Sequence, residues 1–206
     1  MPVRRPGPSS VLRCVDQSVA SVVARYVKDK SDKLTERLQA DVFLDSDDLR
    51  DLRTLLENVA KTDVLLLFLT KDLLTRPWCL LEIHAAITHG VPIVSVLVAN
   101  QFRYSFGAAQ TFIDGFEEEL ARHNPGASEV LLTHGVEPAA MGQMLREHIP
   151  NIIAKTFEPS ASTNVLSAQI TDIIDAMEYA RSHAPRRRIS RRIPWQVGDQ
   201  SPNGSE

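Results

Sequence analysis

The sequence predicts an α/β domain with a parallel sheet and helices on both faces. Two apolar runs, at residues 64–69 and 91–98, lack the polar alternation of a half-exposed strand, which is typical of strands covered on both faces. Between them, residues 77–89 predict a helix, because Pro77 suits a first helical turn and Gly90 suits the residue after a helix end. Strand, helix and strand in this order imply parallel strands joined by a right-handed crossover.

The size and composition of the chain fit one compact domain with irregular ends. The chain has 206 residues, of which 43% are hydrophobic, enough for one substantial core. We predict a flexible lead-in at residues 1–10, the folded domain at residues 11–183 and a basic, disordered tail at residues 184–206. The sequence has neither the roughly 20 apolar residues of a transmembrane segment nor a secretory signal. We therefore expect a cytoplasmic protein.

Cysteine usage and charge argue against two classes of site. The two cysteines, Cys14 and Cys79, belong to no CxxC motif and no His/Cys cluster with zinc-ligand spacing, so we predict no metal site and a reducing compartment. The segment from Pro185 onward carries five arginines against two acidic residues, so the rest of the chain is more acidic than the net charge of −3 implies. An acidic body disfavours nucleic acid as the main partner.

The spacing of apolar residues predicts the elements before the first buried strand. Residues 18–39 have apolar side chains at intervals of three and four, which predicts a long amphipathic helix. Residues 41–45 predict a short strand that runs into an acidic turn. Helical spacing returns at residues 52–59, which predicts a second helix.

The second half of the chain is less regular. Three apolar residues at intervals of four predict one helix through Phe112, Phe116 and Leu120, and residues 141–147 predict another, on either side of a loop at 124–126. Residues 152–157 predict a last strand. A closing amphipathic helix that fades by His183 is predicted by Val165, Ile170, Ile173, Ile174 and Met177.

A motif runs from the end of the first buried strand into the helix at residues 77–89. Its sequence is Leu69-Thr70-Lys71-Asp72-Leu73-Leu74-Thr75-Arg76-Pro77-Trp78-Cys79-Leu80-Leu81-Glu82. It resembles the signature of Toll/interleukin-1 receptor (TIR) domains, in which a buried strand ends in Ser or Thr, a loop follows, and a helix opens with Trp-Cys-x-x-Glu. The resemblance covers residues 40–98, since Val42-Phe43-Leu44-Asp45 is similar to the family's second strand where it enters a variable interaction loop.

The resemblance implies the flavodoxin-like TIR fold. The first strand of the family precedes the first long helix, and only residues 11–15 stand in that place here. These residues match the family poorly, so we predict that the first strand is degenerate or missing. The loop after Asp45 lacks the glycine that is usual in the family, so we expect it to be shorter or differently shaped.

In TIR domains that are enzymes, the glutamate of this signature is the catalytic residue that cleaves nicotinamide from NAD, and Glu82 corresponds to it. NAD is then a substrate, and no bound cofactor is implied. One carboxylate is enough, because nicotinamide leaves a cationic pyridinium as a neutral base and needs no general acid, unlike the leaving oxygen of a glycoside. The carboxylate stabilises an oxocarbenium-like ribose, and apolar surroundings strengthen this effect.

Trp78 lies four residues before Glu82, so the two side chains are neighbours on one helix face. An indole in that position could pack against the ring of the ligand. The alternative reading is structural: a glutamate on an amphipathic helix usually faces solvent, and a tryptophan at a helix start usually belongs to the core. Spacing alone favours this alternative, and the resemblance favours the catalytic one.

Doubly wound sheets bind ligands beyond the carboxyl ends of their strands, where the strand order reverses. This rule nominates four further binding residues in the loops around Glu82. They are Asp45, Thr70, Lys71 and Arg76. Lys71 and Arg76 would meet a pyrophosphate, although exposed basic residues are common in loops. For Asp45 the alternative is that an acidic residue after a strand only caps the next helix.

Two functions of different classes therefore remain open. The first is an NAD-cleaving signalling enzyme in an immune, stress or cell-death response, with Glu82 at its centre and switched on by assembly with other TIR domains. The second is a non-catalytic adaptor, which binds other TIR domains through the loop after Asp45 and uses Glu82 only to support its helix. The intact motif favours the enzyme, and the weak first strand favours the adaptor.

Overall fold

The computed structural model describes residues 9–14, 40–42, 52–99, 104–149 and 153–184. For residues 9–14, 40–42 and 52–54 it describes the backbone only. The predicted helix at residues 18–39, the predicted binding residue Asp45 and the basic tail after Ala184 lie outside the described residues.

The sheet consists of five parallel strands in the order β2-β1-β3-β4-β5. The strands are β1 Ser9–Cys14, β2 Ala40–Val42, β3 Val64–Leu69, β4 Ile93–Val98 and β5 Lys155–Phe157. The chain moves from β1 to one side for β2 and then to the other side for β3, which is the order of flavodoxin-like sheets. The predicted α/β class with a parallel sheet is confirmed, and the strand order reverses at β1.

Strand β1 is present, so of the two alternatives expected for the first strand, degenerate or missing, the second was wrong. Its residues Ser9, Ser10 and Val11 pair with β2, and Val11 to Cys14 pair with Val64 to Leu67 of β3. The strand begins two residues before the predicted domain start at residue 11. A strand between two neighbours is held by backbone hydrogen bonds on both edges, which any residue except proline can supply. Its side-chain pattern was therefore a poor guide to its existence.

Strand β3 is buried along its whole length, as its apolar sequence predicted. Successive side chains of a strand point to opposite faces. Leu65, Leu67 and Leu69 belong to the larger core, whereas Val64, Leu66 and Phe68 belong to the smaller core on the other face. The alternation places β3 between two layers of helices.

The described helices cover both faces of the sheet, as predicted. They are α1 Leu52–Lys61, α2 Pro77–Thr88, α3 Phe106–Asp114, α4 Phe116–His123, α5 Ala127–Thr133, α6 Pro138–His148 and α7 Thr163–His183. Helices α1 to α6 contribute to the larger core, and among the described helices α7 is the one that contributes to the smaller core. Within these ranges, no helix is both long enough and apolar enough to cross a lipid bilayer.

The segment between β4 and β5 differs from the prediction. The single helix predicted through Phe112 and Leu120 is two helices, separated at Gly115, which has φ −102° and ψ 32°. Helix α5 was not predicted, because only Ala127 and Leu131 among its seven residues are buried. Two buried positions are too few to create a recognisable helical period.

A close contact between α6 and α4 gives a test of this segment. A Cβ atom on Gly142 would lie 3.0 Å from the Cβ of Phe116, whose side chain is buried. We expect Gly142→Ala to lower the free energy of unfolding by about 1–3 kcal/mol, because overpacking outweighs the gain in helix propensity of up to about 1 kcal/mol. Urea unfolding measures the change.

The control for this variant is Gly107→Ala in α3. An added Cβ at Gly107 meets nothing within 4 Å, so the same substitution should leave stability equal or slightly higher. If both variants were stabilised alike, the close approach of α6 to α4 would be contradicted.

Candidate functional site at the carboxyl end of strand β3

A short, well-anchored loop joins β3 to α2. After Thr70, the chain turns at Asp72, whose φ of 63° lies in the left-handed region that aspartate tolerates better than most residues. One turn of 3-10 helix follows at Leu73–Thr75, and the side chains of Leu73 and Leu74 are buried in the larger core. The hydroxyl of Thr75 donates a 2.9 Å hydrogen bond to the carbonyl of Asp72. The loop is therefore fixed by both apolar and polar contacts.

Helix α2 begins immediately after this loop. Arg76 is extended, Pro77 occupies the first turn, where a missing N–H leaves no hydrogen bond broken, and the N–H of Leu80 donates to the carbonyl of Arg76 at 3.1 Å. The left-handed residue after this helix is Gly90, with φ 63°, as predicted. Seven of the twelve residues of α2 are buried, so the helix is enclosed on most of its circumference.

Glu82 lies on the inner side of α2. Helical spacing places it beside Cys79 and Ala86, which are 5% and 0% exposed, and away from the exposed Thr88. Glu82 itself is only 1% exposed, and less than 1 Å² of each carboxylate oxygen is accessible to solvent. Among the residues whose burial is described, it is the single buried side chain of the Asp, Glu, Lys, Arg and His types.

The burial of Glu82 is unusual for its residue type. Removing an ionised carboxylate from water costs several kcal/mol unless neighbouring charges or hydrogen bonds offset the loss. A glutamate on a helix usually faces solvent. Because Glu82 is 1% exposed, the alternative that its side chain faces solvent is wrong.

Trp78 is a neighbour of Glu82 along the helix, and its ring contacts another residue of the protein. The indole is half-buried against the larger core. Its ring meets the imidazole of His134 edge to face, with ring centroids 5.1 Å apart and an interplanar angle of 73°. His134 directly follows Thr133, the last residue of α5. The indole therefore joins α2 to α5 and can offer only its remaining surface to a ligand.

The other predicted binding residues occupy different environments. Thr70 is 4% exposed, and its hydroxyl has no hydrogen-bond partner within the part of the chain that the structure describes. Lys71 is exposed on the outside of the loop, and Arg76 is half-buried at the start of α2. The structure thus places Thr70 and Glu82 in the interior and Lys71 at the surface.

Asn124 is a contact of this loop that sequence reasoning missed. Its side-chain Nδ2 donates a 3.0 Å hydrogen bond to the carbonyl of Thr75, 49 residues earlier in the chain. The sequence marked residues 124–126 as a turn, but a turn signal does not reveal which distant carbonyl its side chain meets. The contact of His134 with Trp78 was also missed, because the sequence does not reveal which distant ring an imidazole meets.

His84 and His89, near the end of α2, interact with each other. Burial lowers the pKa of His84, and the nearby His89 lowers it further. Within the described ranges, no group of three or more His, Cys, Asp or Glu side chains is arranged to hold a metal ion.

Comparison with known proteins gives a similarity in structure. No family model matches the chain, and no curated protein matches it in sequence. Its structure is similar to the TIR domains in a structure of the activated Roq1 resistosome directly recognising the pathogen effector XopQ, with a TM-score of 0.50 and 12% sequence identity. The match covers 82% of this chain and 99% of that one. The chain therefore has the α/β, flavodoxin-like fold of TIR domains.

Proposed function

We propose that the chain is a TIR-domain signalling module that cleaves NAD, with Glu82 as its catalytic carboxylate. The observation that carries the proposal is the burial of Glu82 on the inner side of α2, in the second turn after the loop that leaves β3. Parallel sheets of this order bind ligands at the carboxyl ends of their strands. Titratable groups that are buried at such a position are candidates for function.

The proposed reaction is hydrolysis of the bond between the ribose C1′ and the pyridinium nitrogen of NAD. The bonding pair goes to the nitrogen, so nicotinamide leaves neutral and no acid has to protonate it. Water then adds to C1′ and releases one proton, which gives ADP-ribose. The negative charge of Glu82 stabilises the positive charge that develops on the ribose, and its apolar neighbours Cys79 and Ala86 strengthen that interaction.

The other predicted residues have supporting roles in this proposal. The buried hydroxyl of Thr70 is available to a ribose hydroxyl, and the remaining surface of the Trp78 indole forms one wall. We assign attraction of the pyrophosphate to Lys71, which is exposed, and to Arg76, which is half-buried. Asp45, which lies outside the described residues, is proposed as a further ribose contact.

Access to Glu82 is the condition on which catalysis depends. The carboxylate oxygens are closed to solvent in this structure, so NAD reaches them only after neighbouring segments separate. We propose that assembly with other TIR domains in the cytoplasm, in an immune, stress or cell-death response, favours this opening. The similar TIR domains belong to a structure of an activated resistosome, which supports assembly as the switch.

The closure of the carboxylate oxygens to solvent favours a second function, in which Glu82 does not act on NAD. A carboxylate that never reaches solvent cannot meet NAD, and Glu82 would then only maintain the packing of α2. In that case the chain is an adaptor that acts through contacts with other TIR domains.

The test is nicotinamide release from NAD by the purified full chain, measured over a range of protein concentrations. We expect the rate per molecule to rise with concentration, and Glu82→Ala to abolish it. Glu129→Ala on α5 is the matched control, because Glu129 is an exposed glutamate and its replacement should leave the rate unchanged. No release at any concentration, or equal rates for wild type and Glu82→Ala, would favour the adaptor.

A further inference from the structure

The carbonyl of Thr75 accepts a hydrogen bond from a distant segment just before helix α2 begins. The first carbonyl that accepts a hydrogen bond within α2 is that of Arg76, so the carbonyl of Thr75, one residue earlier, lies outside the bonding pattern of the helix. Here the partner comes from Asn124, at the end of α4, through the 3.0 Å bond from Nδ2. The bond is partly buried, so water competes with it less than it would at an exposed site.

Asn124 is itself held from both sides. Its N–H donates to the carbonyl of Leu120 at 2.8 Å, and its carbonyl accepts from the N–H of Ala127 at 2.9 Å. Leu120 and Ala127 are both 0% exposed, so α4 and α5 are fixed in the larger core next to it. The side-chain amide of Asn124 therefore meets the carbonyl of Thr75 from a backbone that is held by hydrogen bonds on both sides.

A second contact connects the same pair of helices to α2. The ring of Trp78 meets His134, whose N–H donates to the carbonyls of Val130 and Leu131 at the end of α5. Helices α4 and α5 thus contact the entry to α2 at Thr75 and at Trp78. Glu82 lies one turn further along that helix.

We propose that Asn124 is a positioning residue for the site at Glu82. It fixes the carbonyl of Thr75 and so sets where α2 begins, together with the contact between Trp78 and His134. A misplacement of about 1 Å can reduce a catalytic rate by about 10²-fold. This inference rests on the proposed function for its catalytic consequence, but the geometric part can be measured without NAD.

The experiment uses the fluorescence of Trp78 in the full chain. The chain has two tryptophans, so Trp195→Phe leaves Trp78 as the single reporter. In this background we compare the parent, Asn124→Leu, Asn124→Asp and the control Gln110→Leu, whose amide makes an exposed bond to Asp114 within α3. Emission maximum and acrylamide quenching report the environment of Trp78, while kcat and KM for NAD report the site.

Both Asn124 variants should red-shift the emission of Trp78 and raise its quenching, and should lower kcat about tenfold or more at nearly constant KM. Gln110→Leu should change none of these. Asn124→Asp keeps the size of the side chain and removes the Nδ2 donor, so it decides the question if Asn124→Leu fails to fold. Unchanged Trp78 emission in a folded variant, or an altered emission with an unchanged kcat, would overturn the inference. If the parent releases no nicotinamide, the proposed function fails, and the emission alone decides whether Asn124 positions α2.

Discussion

Glu82→Gln is expected to reduce nicotinamide release by about 10²–10³-fold, the usual effect of removing one group that stabilises transition-state charge. The same substitution separates the two readings of Glu82 by its effect on the free energy of unfolding. Glutamine has nearly the shape of glutamate and lacks only its charge, and Glu82 is 1% exposed. A carboxylate retained for catalysis rather than for packing should leave that free energy nearly unchanged or higher when its charge is removed.

Two measurements on the same preparations test this expectation. Urea unfolding, with equal slopes for both proteins, gives the change in stability, and nicotinamide release gives the change in rate. Glu129→Gln, at an exposed position on α5, is the control for both measurements. If Glu82 held the helix in place through a buried ionic contact, removing its charge would instead cost about 3–5 kcal/mol. That outcome would assign Glu82 a structural role and favour the adaptor.

Phe68→Ala should cause the largest loss of stability, about 3–5 kcal/mol, as is usual for a phenylalanine truncated in a core. Phe68 is 0% exposed on the side of β3 that faces α7. Domains of this size are stable by only about 5–15 kcal/mol, so the variant loses a large part of its stability. Urea unfolding followed by circular dichroism measures the loss.

Phe106→Ala is the matched control for that experiment. Phe106 begins α3 and is 56% exposed, so the same truncation removes little buried surface and should cost well under half as much. Similar losses at the two positions would mean that α7 does not cover the even-numbered side of β3.

The elements that sequence reasoning located best are those whose side chains alone determine them. Strand β3 has the predicted bounds, because a run of six consecutive apolar residues is typical of a strand covered on both faces and too short for most helices. Helix α2 begins at Pro77, as predicted, because a proline in the first turn and a glycine after the end are local signals. The closing helix ends at His183, where its apolar spacing fades.

The elements that were misjudged depend on distant partners. Strand β1 exists because β2 and β3 pair with its backbone. Backbone hydrogen bonds do not require a particular amino-acid pattern, so the sequence does not reveal them. Helix α5 is too short to show a period. The break at Gly115 divides a helix whose apolar spacing continues across it.

The candidate site was predictable only in the features that depend on local sequence. The motif singled out Glu82, and helical spacing made Trp78 its neighbour. Spacing could not show that the carboxylate is closed to solvent, or that the indole already contacts His134. Both facts depend on packing between segments that are far apart in sequence, as does the bond from Asn124 to Thr75.

The early position of β1 in the chain has a practical consequence for anyone preparing the protein. This strand separates β2 from β3, so an N-terminal truncation that removes the whole strand, through Cys14, would turn β3 into a sheet edge. An uncovered edge of six apolar residues is a template for pairing with other molecules. Affinity tags and truncation boundaries are therefore better placed at the carboxyl terminus, well away from the first fourteen residues.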